Sequence, residues 1–148
     1  MDSIHIITFR IARIEDVNML LTWRNDPETR KSSITTDTVD RDEHVDWFAK
    51  SLSSKERTIY IAEIMDTPVG TIRDDLVGDK HFLSWTIASE KRNQGMGKVM
   101  LRKFFHKYRR KFFSQIKMDN LASISIAESA GMKFARVSDG LLTYIYDF

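Results

Sequence analysis

The sequence predicts a mixed α/β (α+β) fold: a central sheet of about seven strands flanked by helices on both faces, in a single domain spanning 1–148. Three observations predict it. Strand-like and helix-like runs follow in the order strand, two or three helices, three strands, helix, strand, helix, two strands, with a helical crossover between neighbouring strands. A loop carrying two glycines, Ser89 to Lys98, joins an apolar strand-like run to an amphipathic helix. Turn residues join the other strands as hairpins.

Ile4 to Ile11 alternates weakly and is β-branched, so it reads as the first strand. Ile14 to Arg24 puts Val17, Leu20 and Leu21 on one helical face, with Glu15 and Asp16 in the first turn, where the helix dipole favours acids. Asp26-Pro27 closes that helix, and Pro27 opens a short second one through Lys31. The polar run Ser32 to Thr38 is a loop. Asp40 to Leu52 is a third helix with Val45, Phe48 and Leu52 apolar, Asp40 as N-cap and Glu43 completing a capping box. Arg57 to Ile64, Val69 to Val77 and Lys80 to Ala88 read as strands, joined by turns at Asp66-Thr-Pro68 and Gly78-Asp79. After the two-glycine loop, Leu101, Phe104, Phe105 and Tyr108 fall at helical spacing. Phe112 to Met118 is a strand, and Asn120 to Ala130 a helix ended by Gly131. Met132 to Val137 and Leu141 to Tyr146 form a closing hairpin around Asp139-Gly140.

Composition narrows the function classes. Apolar residues make up 42% and charged residues 30% of 148, a globular mixture long enough to bury a substantial core. There is no cysteine, hence no disulfide framework, no thiol nucleophile and no Cys-based metal site, which fits a reducing compartment. The four histidines, at 5, 44, 81 and 106, show no paired metal spacing, so no metal is expected. The opening Met-Asp-Ser-Ile-His-Ile-Ile lacks the pattern of a secretion leader, and no run of about 18 apolar residues occurs; a cytoplasmic protein without membrane association is expected. Net charge is +2, yet Lys98, Arg102, Lys103, Lys107, Arg109, Arg110 and Lys111 fall together with no acid among them. Most of these read as a solvated helix face, with Lys98 and Arg102 placed to meet phosphates. The neighbouring aromatics lie on the apolar stripe, which argues against a nucleic-acid partner.

Glycines at 95 and 97 let backbone N–H groups turn toward one point, and the helix beginning there adds its positive end; the geometry suits a phosphate or pyrophosphate. The spacing Arg92-x-x-Gly95-x-Gly97 is neither the triphosphate loop Gly-x-x-x-x-Gly-Lys-Ser/Thr nor Gly-x-Gly-x-x-Gly. It resembles the acyl-CoA pyrophosphate loop of the GNAT acetyltransferases, Gln/Arg-x-x-Gly-x-Gly/Ala. Asn120-Leu-Ala-Ser-Ile-Ser-Ile-Ala-Glu-Ser-Ala-Gly-Met132 resembles that family's Asn-x-x-(Ala/Ser)-x-x-x-(Tyr/Phe)-Glu-x-x-Gly-Phe. The resemblance implies acetyl-CoA as cofactor, held by Arg92, Asn93, Gln94, Gly95, Met96, Gly97 and Lys98. It places Asn120 and Ser123 on the pantetheine and adenosine side, and implies that N–H groups of Ile87 and Ala88 polarise the thioester carbonyl. This chain departs from the family at Gln94, where many relatives carry Arg or Lys, and at Ala127, where many carry a Tyr that protonates the leaving thiolate. Ser123, water or another side chain then takes that role, or the thiolate leaves unassisted.

Leu20-Leu-Thr-Trp-Arg-Asn-Asp-Pro-Glu-Thr-Arg30, Glu43-His44, Trp47-Phe48 and Val69-Gly-Thr-Ile-Arg-Asp-Asp75 resemble a GNAT branch that acetylates nucleotide-linked amino sugars in pathways of the pseudaminic and legionaminic acid type. Ribosomal-protein and other N-terminal acetyltransferases share the Trp-Arg-Asn core, and they or a small-amine acetyltransferase are the alternative. A non-catalytic acyl-CoA-binding module is the alternative of another class. An amino-sugar nucleotide needs a stacking surface, for which Trp23 and Trp47 qualify, and donors for its diphosphate, for which Arg24, Arg30 and Arg73 qualify. Asn25 and His44 complete the expected substrate-binding set. Direct attack by the amine is expected, because there is no cysteine and no Ser-His-Asp arrangement. Candidate bases are Asp75, on one strand face with Thr71 and Arg73, His44, and Glu63. A homodimer through a strand edge is compatible with the pattern.

Overall fold

Alternation along β2 (Arg57–Ile64) divides the core in two: Ile59 and Ile61 point to one face of the sheet, Tyr60, Ala62 and Ile64 to the other. The computed structural model describes residues 6–148. On the first face, α1 (Val17–Asn25) and α3 (Arg41–Ser53) bring Leu20, Trp23 and Phe48 against Ile59 and Ile61. On the second, α4 (Met96–Lys107) and α5 (Leu121–Ser129) bring Met100, Phe104 and Ala127. Phe104 is fully buried, with its ring edge-on to Phe9 and Tyr60 at 5.5 and 5.1 Å.

The sheet has seven strands in the order β1-β2-β3-β4-β5-β7-β6. These are β1 (Ile7–Ile11), β3 (Thr67–Val77), β4 (Lys80–Ile87), β5 (Phe112–Lys117), β6 (Lys133–Ser138) and β7 (Leu141–Tyr146), together with β2. All neighbours are antiparallel except β4 and β5, which run parallel because a helical crossover joins them. The predicted class, a mixed sheet with helices on both faces, is the one observed. Ile4 and His5 of the predicted first strand lie outside the described residues.

Local differences have local causes. The turn expected at Asp66-Thr-Pro68 falls instead at Met65-Asp66, whose φ values of 51° and 66° are both positive, the pairing that matches the twist of a two-residue hairpin. Pro68 then lies inside β3, opposite Glu63 at a register shift, where its missing N–H costs no ladder bond. Ile14–Asp16 winds as a 3-10 turn, which shifts the helical phase so that Trp23 rather than Leu21 joins Leu20 in the core. In α3 the buried stripe is His44, Phe48 and Ser51, with Val45 only half-buried. Asp40 caps that helix by accepting from the N–H groups of Asp42 and Glu43.

α2 (Pro27–Ser32) lies beside the end of β5. Asp26 caps it, accepting from Glu28 and Thr29 N–H groups. The following loop is pinned by Asn25, whose amide donates to the Val39 carbonyl at 2.9 Å and accepts from the Val39 N–H at 2.7 Å. Lys117 of β5 reaches over to donate to the carbonyls of Lys31 and Ser33.

Candidate functional site

β4 and β5 pair only at His81–Phe112 and Phe82–Phe113. Ser114 Oγ donates to the Leu83 carbonyl at 3.0 Å as the last stitch. Beyond it the strands part, and a cleft of about 730 Å3 opens between Ser84–Ile87 and Ser114–Lys117. The Ala88 N–H is spent on the Val69 carbonyl at 2.9 Å. Because strand N–H groups alternate between neighbours, that of Ile87 is turned away from β3 and toward the cleft.

The two-glycine loop forms the cleft's far wall. Asn93 and Gly95 adopt left-handed backbone, φ 60° and 74°, and Gly95 stands at the N-cap of α4, where no side chain caps the helix. The first helical bond is Val99 N–H to Gly95 carbonyl, and among the described residues the N–H groups of Met96, Gly97 and Lys98 donate to nothing. Three uncapped donors at the positive end of a twelve-residue helix fit a diphosphate. Gly97 lets α4 approach α5 closely: a Cβ there would collide with Ile126 Cδ1 and lie 3.0 Å from Ile126 Cγ1, on α5, so that side chain would have to move.

Other predicted coenzyme contacts divide. Lys98, Asn93, Asn120 and Ser123 line the cleft. Asn120 Oδ1 also accepts from the Ser123 N–H and so caps α5. Gln94 folds back, its amide donating to the Glu90 carbonyl. Arg92 is engaged by α2: its Nη1 lies 2.7 Å from Asp26 Oδ2, and its Nη2 donates to Thr29 Oγ1 at 2.7 Å. Arg102, expected to meet phosphates, instead donates to the Ser129 carbonyl and hydroxyl at the end of α5. Ala127 is fully buried, whereas Ser123, one helical turn earlier, faces the cleft.

A second cavity, of about 400 Å3, lies on the α1 and α3 side of the sheet and holds Trp23, Arg24, His44, Trp47 and Arg73 of the predicted acceptor set. Arg24, Arg73, Ser84, Trp85 and Thr86 line both cavities, so the two spaces meet along the open stretch of β4. Trp47 presents its ring to Arg57 and Arg73, at 5.3 and 5.9 Å from the ring centroid. Asn25 and Arg30 line neither cavity; Asn25 holds the loop at Val39, and Arg30 lies on α2.

The three candidate bases differ in place. Asp75 takes Arg57 on both oxygens, at 2.6 and 3.2 Å, and has Arg73 Nε at 3.2 Å. Glu63 is bound to Arg10, which also forks onto Asp16 and holds that carboxyl below the usual carboxylate range. Only His44 of the three borders the second cavity. It stacks on Phe48, and its Nε2 donates to the Val17 carbonyl at 3.2 Å, which leaves Nδ1 with the lone pair. Burial lowers its pKa, so the ring stays neutral further into the acid range than a free histidine. One carboxylate gains no site role from sequence: Glu43, which reads there as part of a capping box and of the Glu43-His44 motif, is the sole acid lining this cavity among the described residues.

The lowered His44 pKa has a consequence for stability. Between the unfolded value, about 6.5, and the lower native one, the unfolded chain binds more protons, so stability falls as pH falls through that window. The urea midpoint of the wild type is expected to drop on acidification across it, and His44→Gln to lose that part of the slope. Identical slopes in the two proteins would remove His44 as the source.

A family model described as an acetyltransferase (GNAT) domain matches residues 7–133. No curated protein sequence matches the chain. Among solved structures, a domain from Methanocaldococcus jannaschii DSM 2661 is similar with a TM-score of 0.79 at 21% identity, over 96% of this chain and 98% of that one. Spermidine N-acetyltransferase from Vibrio cholerae, in complex with CoA and spermine, is similar with a TM-score of 0.82 at 11% identity, over 95% and 94%. The aminoglycoside acetyltransferase AAC(6')-Ib, in complex with coenzyme A and kanamycin, is similar with a TM-score of 0.79 at 17% identity, over 95% and 94%. At these identities the likeness is one of fold.

Proposed function

As the chain belongs to the GNAT acetyltransferase family, whose acyl donor is acetyl-CoA, we propose that it acetylates the primary amine of a nucleotide-linked amino sugar by direct attack. One observation carries this reading: a coenzyme cleft with uncapped helix donors meets, along Ser84–Thr86, a second cavity furnished with two tryptophans and two arginines. Acetyl-CoA supplies an activated acetyl thioester. The N–H groups of Met96, Gly97 and Lys98 bind its diphosphate, and the parted edge of β4 takes its extended arm as an added strand would be taken. The Ile87 N–H, aimed into the cleft, stabilises charge on the carbonyl oxygen. Glu43 holds the incoming ammonium at the cavity wall, and neutral His44 accepts its proton at Nδ1. Ser123, which lines the cleft one turn before the buried Ala127, is the candidate proton donor to the thiolate.

Trp47, exposed at the cavity wall, suits stacking on a sugar or base ring and supports the sugar reading over a peptide N-terminus, while Trp23 borders the cavity from the core. The test is a panel of UDP-linked amino sugars, peptides and small amines with acetyl-CoA, followed by thiol release and mass spectrometry. Acetylation of a UDP-amino sugar with a KM well below those of the peptides is expected. Turnover of peptides but not of any UDP-amino sugar would overturn the sugar assignment, and CoA binding with no thiol release from any amine would favour a binding module.

A further inference from the structure

Several buried side-chain atoms have no hydrogen-bond partner, and every one is a donor. Among the described residues these are Arg24 Nη1, Arg30 Nε, Arg73 Nε and Trp85 Nε1. Arg24 spends Nη2 on the Thr35 carbonyl at 2.7 Å, which fixes the guanidinium and leaves Nη1 to spare. Arg73 Nε lies 3.2 Å from Asp75 Oδ2 without donating a hydrogen bond to it. Three of the four residues, Arg24, Arg73 and Trp85, line both cavities and so surround the point where acyl donor and acceptor meet. A buried donor left unpaired costs about 1–3 kcal/mol, so Arg24 Nη1 and Trp85 Nε1, both at the junction of the cavities, call for a ligand that supplies acceptors.

Charge points the same way. Arg24 and Arg30 sit close enough to disfavour each other, and Arg73 faces both Arg57 and Arg24. Asp75 answers Arg57 and Arg73 from the far side, and Glu43 stands at the wall. Burial disfavours the charged forms of Arg24 and Arg73 further, so an oxyanion among them would relieve both effects. A polyamine would bring donors and positive charge to a place already filled with them.

We propose that the acceptor carries an oxyanion, carboxylate or phosphate, within a few bonds of its amine, and that this group docks on Arg24, Arg73 and Trp85 at the junction of the cavities. The proposal rests on the reading of the second cavity as the acceptor pocket, and it excludes polyamines as substrates. It is tested with matched amines that differ in the oxyanion alone: glucosamine against glucosamine 1-phosphate, β-alaninamide against β-alanine, and spermidine. Thiol release from acetyl-CoA is expected to favour the anionic member of a pair by about tenfold or more in kcat/KM, with the phosphate and carboxylate pairs showing which oxyanion is preferred. Arg73→Gln should erase the preference by raising KM for the anionic member alone. Arg24→Lys, which keeps the charge and a donor for Thr35 but loses Nη1, should weaken it. Faster turnover of spermidine or of the neutral members, or an equal loss for both members in Arg73→Gln, would overturn the proposal. Should no simple amine turn over, calorimetry on the same pairs with CoA present decides, and equal affinity overturns it. A UDP-amino sugar that turns over with a KM unmoved by Arg73→Gln would sink this inference and spare the sugar reading. Turnover of a simple anionic amine but of no UDP-amino sugar would do the reverse.

Discussion

A Gly70→Ala variant is expected to lose about 3 kcal/mol of stability, at the upper end of what an added core methyl costs. A Cβ at Gly70 would lie 2.6 Å from the Thr86 carbonyl oxygen, 3.1 Å from Met100 Sδ and 3.3 Å from Ile87 Cδ1. The thioether and the Ile87 methyl are ends of side chains and can swing. The carbonyl cannot, because it belongs to β4, whose register with β3 is continuous from Gly70–Ile87 to Val77–Lys80. Relief therefore means prising β3 from β4 just where the Ile87 N–H must be aimed. The variant should show a lower urea midpoint at unchanged slope and a loss of kcat beyond what instability explains. A midpoint equal to the wild type's would show that the strands can separate at no cost, and the account of a close-packed cleft wall would fall with it.

The element order was legible because periodicity is a local signal. β2, β4 and the two-glycine loop could be placed from their own residues, and so could Gly131, whose φ of 98° after α5 is the left-handed cap its type suggests. What stayed hidden depends on partners remote in sequence. Nothing around Asp75 announces that Arg57, eighteen residues away, occupies both its oxygens, or around Glu63 that Arg10 takes it across β1 and β2. Arg92 lines the cleft as expected, but only the approach of α2 shows that Asp26 also holds it. Trp85 illustrates the opposite failure. Within Phe82-Leu-Ser-Trp-Thr-Ile it looks like one more buried apolar residue, and only the parting of β4 from β5 shows that its Nε1 faces a space with no acceptor. Glu43 was visible but already explained by capping, a role that Asp40 performs through its own carboxylate.

The second large effect concerns activity rather than stability. Gly97→Ala is expected to raise KM for acetyl-CoA about tenfold or more while costing about 1–3 kcal/mol of stability. Gly95→Ala provides the contrast: a Cβ there meets open space, and its cost, about 1 kcal/mol, is that of holding alanine at a φ of 74°. At Gly97 the backbone is unstrained and the obstacle is Ile126 of α5, reached at both Cδ1 and Cγ1. The added methyl must displace the Ile126 side chain, and where Cγ1 cannot give way it presses on α5, which carries Ser123 on one wall of the cleft, beside the three donors of α4 on the other. Ile126→Val removes Cδ1, the nearer of the two atoms, so the double variant should recover much of the lost affinity although Ile126→Val alone weakens packing. The pair of changes should thus be strongly non-additive, with the double variant binding CoA more tightly than Gly97→Ala by calorimetry. Additive losses would mean that Gly97 serves the loop through its backbone alone, and that the close approach of α4 to α5 does not shape the coenzyme site.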